Sequence, residues 1–155
     1  MKTFRGYHFD ERTIQMIKYV EKELGKKLTV TQGSYSKGTV AASAGTHDGG
    51  GAVDFSAKGY TEQEIKVIVR ALRDAGFAAW HRLDTPNVWP EHIHAIAIAC
   101  PDLAQSAKNQ VKAFDKHKDG LKTNKPDYSY HPKPKVKFDA KLNKPVKRGI
   151  FNRIK

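Results

Sequence analysis

Two short stretches of this 155-residue chain stand out for side chains that could together hold a divalent metal or move a proton. One is Thr46-His47-Asp48-Gly49-Gly50-Gly51-Ala52-Val53-Asp54; the other is Trp89-Pro90-Glu91-His92-Ile93-His94. His47, Asp54, Glu91 and His94 are the four candidates, with His92 as a fifth. The chain has a single cysteine, Cys100, which excludes an internal disulfide framework and any multi-cysteine metal site. A bound metal would therefore take imidazole and carboxylate ligands.

Zinc accepts both at about 2.0–2.2 Å, and a catalytic zinc uses three protein ligands plus a water. His47, Asp54 and His94 supply two nitrogens and one oxygen. The glycines between His47 and Asp54 permit backbone conformations closed to other residues, so a loop residue and a strand residue can converge on one ion. On a strand, His92 and His94 point to the same face and Ile93 to the other. Glu91, outside the ligand set, is placed to take a proton from a water whose pKa the metal lowers to about 7. His92 is then free to donate to the oxyanion of a tetrahedral intermediate.

The pattern His-x-x-Gly-x-Ala-x-Asp, followed by Glu-x-x-His within a His-x-His, resembles the zinc peptidases of the D-alanyl-D-alanine carboxypeptidase type. These share the Hedgehog/DD-peptidase fold and include phage endolysins that cut L-alanyl-D-glutamate bonds. The resemblance spans roughly residues 27–98. It implies one zinc ion held by His47, Asp54 and His94, with Glu91 as general base and His92 assisting catalysis. It implies peptidoglycan as substrate, with Trp89 and Trp80 lining the cleft. The chain departs from the family at two places. Gly45 stands where the family often has serine, with Thr46 and Ser43 nearby. The segment Val30-Thr31-Gln32-Gly33-Ser34-Tyr35-Ser36 lacks the family's upstream arginine, so Gln32 is the candidate donor to the scissile carbonyl. Tyr35 and Ser36 are further substrate-contact candidates.

Each feature alone has a plainer reading. A glycine loop with one His and one Asp is an ordinary turn, and two alternate histidines are a half-exposed strand face. The joint occurrence at family spacing favours the metal. Asp48 reads as a turn residue, Cys100 as a small buried hydrophobe, and His8, His117 and His131 as surface residues. His81 is either packed in a strand or part of the cleft.

The elements that must position these residues are legible from periodicity. Ile14, Ile17, Val20 and Leu24 predict a helix over 10–24 stopped by Gly25. Thr61-Glu62-Gln63-Glu64 is a capping box opening a second helix, with Ile65, Ile68, Val69 and Leu72 as its apolar stripe and Gly76 as its end. Strands are expected over 27–32, 51–55, 77–81 and 92–99, a loop over 33–45 and another between Pro86 and Pro90. A third helix is expected from Pro101-Asp102 to about Lys116. This order predicts an α+β fold with a small, mostly antiparallel sheet flanked by helices.

Composition sets the outer limits. Hydrophobic residues make up 39% of the chain and charged residues 28%, which argues against a wholly disordered chain. No run approaches the roughly 20 apolar residues of a membrane span. No apolar signal segment follows Met1, so synthesis in the cytoplasm without a signal peptide is expected, with action on the wall after release or from within a virion. The net charge of +12 is uneven: residues 1–100 carry net +2 and residues 101–155 net +10. We therefore expect a zinc peptidase domain over 1–118 and a basic, proline-containing extension over 119–155. Tyr128, Tyr130, Val136, Phe138, Leu142, Ile150 and Phe151 give that extension the means to fold back on the domain. Its charge suits an anionic wall polymer or nucleic acid. A monomeric peptidoglycan peptidase is the leading expectation. A wall-binding module that keeps zinc without turnover, and a nucleic-acid binder led by the tail, are the alternatives.

Overall fold

The computed structural model describes residues 1–36 and 45–138 and the backbone of 146–147. Ser43, most of the expected 33–45 loop, and Leu142, Pro145, Ile150 and Phe151 of the extension lie outside the described residues. The fold is α+β. Its centre is a four-stranded antiparallel sheet of β3 (Val30–Gln32), β4 (Ala52–Ser56), β6 (His92–Ala97) and β5 (Phe77–Arg82), in the spatial order β3-β4-β6-β5. Helices α1 (Glu11–Leu24) and α2 (Glu62–Asp74) cover one face, and α3 (Gln105–Asp115) packs on the other. An N-terminal hairpin joins β1 (Lys2–Phe4) to β2 (Tyr7–Phe9), and β7 (Val136–Lys137) pairs with β8 (Val146–Lys147).

The first two helices end where their sequence dictates. Asp10 caps α1 by accepting from Thr13 N, and Gly25 closes it in the left-handed conformation that glycine adopts without steric cost. Thr61 and Glu64 form the reciprocal capping box of α2. The apolar stripes of both helices meet Val53, Phe55, Phe77, Ala79, Ile93 and Ala95 from the sheet in the main core. Phe55, Phe77 and Ile93 are fully buried, each stabilising the fold by about 1.5–3 kcal/mol.

Strand alternation sends the even-numbered residues the other way. Ala78, Trp80 and Ile96 form a second apolar cluster with Ala107 and Phe114 of α3. Asp54 and His94 are paired across β4 and β6, and Trp80 and His94 across β5 and β6. The candidate ligands therefore lie on the α3 face, while their odd-numbered neighbours anchor the sheet to α1 and α2.

Several elements, the β7–β8 pair among them, differ from the sequence expectation. The β1–β2 hairpin was not foreseen; Arg5 and Gly6, both at positive φ, make its tight turn. The strand expected from Lys27 starts at Val30, because Lys26 N and Leu28 N are held by the backbone and carboxylate of Glu21. α3 starts at Gln105 rather than Pro101, because residues 101–104 form a turn whose Asp102 carbonyl accepts from Gly50 N. β6 stops at Ala97, where Cys100 N turns back to the Ala97 carbonyl.

Residues 119–138 lie against the domain. Val136 and Phe138 are buried in the main core. Arg73 of α2, itself 3% exposed, donates to the carbonyls of Ala79 and Tyr130, to Ser129 and to Asp127. His131 is half-buried rather than a surface residue and stacks on Phe114, with ring centroids 4.0 Å apart. Among the described residues no helix is long and apolar enough to cross a membrane.

Candidate metal centre

His47, Asp54 and His94 offer one ligand atom each within 4.8 Å of one another. They come from three places in the chain. His47 sits in the loop before β4, Asp54 in the middle of β4, and His94 opposite it on β6. His47 is 2% exposed, His94 5% and Asp54 9%.

The loop reaches its place because of its glycines. Gly51 has φ +81°, and a side chain there would also run into Leu103. Gly49 lies so close to the backbone of Asp102 and Ala104 that a Cβ would overlap it. The loop is pinned on its other side by Tyr35 N and Ser36 N, which donate to the carbonyls of Gly49 and His47.

The hydrogen bonds orient each imidazole. His47 Nδ1 is 2.8 Å from the Gly33 carbonyl, which can only accept, so in the neutral ring Nδ1 carries the proton and Nε2 is bare. That Nε2 lies 3.3 Å from Asp54 Oδ1, close to the roughly 3.3 Å edge of a tetrahedron built on bonds of about 2.0 Å. His94 Nε2 faces Gln110 Oε1 at 2.7 Å, and its Nδ1 faces Asp54 Oδ1 at 2.7 Å. His92 repeats the pattern, with Nδ1 on the Pro90 carbonyl at 2.8 Å and Nε2 3.8 Å from Asp54 Oδ2. All three imidazoles satisfy one nitrogen on an oxygen acceptor and direct the other at the same carboxylate.

Bare imidazole nitrogen and carboxylate oxygen both carry lone pairs. They repel at these distances unless a cation, proton or metal, lies between them. The donor set thus fits a divalent metal, with second nitrogens tied down as in metal-ligating histidines generally. Burial pushes the Asp54 carboxyl up, but the attraction of His94 and hydrogen bonding with His47 and His94 outweigh it and hold it well below the usual carboxylate range. Burial lowers the pKa of His94 against the pull of Asp54, with Arg82 and His47 acting in the same downward direction. The effect of burial on His94 favours the neutral imidazole that metal binding needs.

The centre opens into a cleft of about 410 Å³ whose walls include Gln32, Trp89, Glu91, His92 and Gln110. Gln32 is paired in register with Asp54. Trp80 stacks on His94 with ring centroids 6.0 Å apart and planes at 14°, and its Nε1 donates to the Lys118 carbonyl. Glu91 is engaged by His81, whose Nε2 is 2.6 Å from Glu91 Oε2. Tyr35 and Ser36 are not among the cleft-lining residues. Tyr35 donates its hydroxyl to Asp102 at 2.6 Å, and burial together with that bond raises its pKa. A larger groove of about 890 Å³ runs over α2 and past Trp89; among the described residues His81 is the one histidine in its lining, and no metal-ligand cluster converges there.

Gln110 and the His81–Glu91 pair are absent from the sequence reading. The signal for Gln110 was its place on the α3 face that carries Ala107 and Phe114, where a polar residue in an apolar stripe needs a partner. Comparison with known protein families, curated proteins and solved structures returns no match.

Proposed function

We propose that this chain is a zinc-dependent peptidase of the DD-peptidase type that hydrolyses peptide bonds in the stem peptides of bacterial peptidoglycan. The observation that carries the reading is the convergence of His47 and His94 ring nitrogens on Asp54 beside an open cleft, with a carboxylate, Glu91, on its wall. The spacing of these residues supports the finer assignment to the Hedgehog/DD-peptidase fold.

His47, Asp54 and His94 would hold one zinc ion, which when bound polarises a carbonyl and acidifies water. The chain's own residues do the rest. Glu91 accepts a proton from the attacking water and returns it to the leaving amine. His81 orients Glu91 by hydrogen bonding. His92, tied at Nδ1 to Pro90, presents Nε2 to the cleft and as imidazolium donates to the developing negative charge on the carbonyl oxygen. Gln32 and Trp89 contact the substrate. A wall-lytic role, after release from the cytoplasm or from a virion, follows from this chemistry. The basic extension would favour anionic wall polymers.

The test is mass analysis of muropeptides after purified sacculi are incubated with the zinc-supplemented full chain. Split stem peptides are expected, lost with a chelator. His47→Ala should lose most of its bound zinc and the cleavage with it. An unchanged muropeptide profile from the zinc-loaded wild type overturns the peptidase. If that protein still sediments with sacculi, the zinc-containing binding module replaces it.

A further inference from the structure

We infer that Gln110 is a positioning residue that decides which nitrogen of His94 is left to bind metal. This rests on the metal reading above and adds to it a residue outside the ligand set. Imidazole has one proton to place when neutral, and the two choices are not equivalent here. With the proton on Nε2, it is donated to Gln110 Oε1, and Nδ1 stands bare 2.7 Å from Asp54 Oδ1. With the proton on Nδ1, it is donated to Asp54, and the ligand position is consumed. Asp54 is a strong acceptor for that proton, so the productive tautomer needs a competing acceptor on the far side of the ring.

Gln110 is the side chain that supplies it. It projects from α3 between Ala107 and Phe114, whose burial against Trp80 and Ile96 fixes the helix on the sheet. Trp80 covers a face of the His94 ring, so the imidazole cannot turn freely to exchange its nitrogens. His47 and His92 have their second nitrogens fixed by the Gly33 and Pro90 backbone carbonyls, which no side-chain substitution removes. His94 alone of the three depends on a side chain, and an amide oxygen accepts without adding charge to a centre that already holds Asp54.

The test compares the full-length wild type with Gln110→Leu and Gln110→Glu. Affinity for zinc alone is measured by competition with a chromogenic chelator, and the protonated nitrogen of His94 in the zinc-loaded wild type is read by two-bond proton–nitrogen NMR. We expect the His94 proton on Nε2. We expect Gln110→Leu, which keeps the volume and loses the acceptor, to bind zinc about 10- to 100-fold more weakly. Gln110→Glu, which keeps an acceptor oxygen, should stay closer to the wild type than Gln110→Leu. Equal zinc affinity in wild type and Gln110→Leu, or a His94 proton on Nδ1, overturns the inference and leaves the metal reading intact. If Gln110→Leu does not fold, Gln110→Met, which likewise removes the amide acceptor, takes its place in the zinc titration with the same expected and overturning results. A wild type that binds no zinc rejects the metal reading and this inference together.

Discussion

His81 Nε2 and Glu91 Oε2 stand 2.6 Å apart, joining the edge strand β5 to the residue just before β6. The carboxylate assigned to proton transfer is therefore held from outside the metal centre. Glu91 remains 43% exposed at its side chain, open to solvent.

On the proposed reading, this arrangement separates metal binding from turnover. Glu91→Gln is expected to keep zinc content unchanged and to lower kcat on a stem-peptide substrate by about 10²- to 10⁴-fold. His81→Ala should lower kcat less and leave zinc content alone. Zinc loss in Glu91→Gln, measured by metal analysis of the purified chain, would move Glu91 into the ligand set.

The close approach of Gly49 to the backbone of Asp102 and Ala104 makes the ligand loop sensitive to a single methyl group. Gly49→Ala should destabilise the fold by about 1–3 kcal/mol, the usual cost of overpacking. It should also weaken zinc binding, because the loop that shifts carries His47. Denaturant unfolding and chelator competition check the two effects; wild-type zinc affinity in a destabilised variant would show that the loop is not what places His47.

Arg73 and Asp127 clamp the segment after α3 onto α2, with Nη2 and Oδ2 3.0 Å apart. Burial raises the Asp127 pKa, but hydrogen bonds from Ser129 and the Arg73 guanidinium outweigh it and leave it below the ordinary aspartate value. A carboxyl depressed in the folded state adds stability above its unfolded pKa, near 4, and that stability is lost as pH falls through the folded value. Asp127→Asn is expected to cost about 1–3 kcal/mol at neutral pH and progressively less below about pH 4. Unfolding titrations at both pH values test this; a pH-independent difference would contradict it.

Cys100 is buried, and burial, reinforced by the charge of Asp10, pushes its thiol up to about 12. At pH 8 only about one molecule in ten thousand would carry the reactive thiolate. Native protein should resist alkylation, and labelling should appear with unfolding. Fast labelling of the folded chain, followed by mass spectrometry, would refute the buried placement.

Much of this architecture was readable from residue types. Capping pairs and apolar stripes marked α1 and α2 because local hydrogen bonds and periodicity fix helix ends. The candidate ligand trio was visible because the glycine loop with His and Asp and the His-x-His strand occur together at the spacing of the family they resemble. Three-residue strands such as β1 and β2 carry no periodicity, and their turn depends on Arg5 adopting a positive φ that its side chain does not advertise. Tyr35 read as a substrate contact because it neighbours Gln32, but it too has a positive φ, and its ring turns to Asp102. The His81–Glu91 bond depends on strand register, which no local pattern reveals.

Alternation along β4 and β6 gives each strand two faces, with the candidate ligands Asp54 and His94 on one and Val53, Phe55, Ile93 and Ala95 packed in the main core on the other. A one-residue insertion or deletion inside either strand would exchange the two, sending carboxylate and imidazole into oil and phenyl rings into water. Genetic drift in this molecule should therefore change strand letters far more readily than strand lengths.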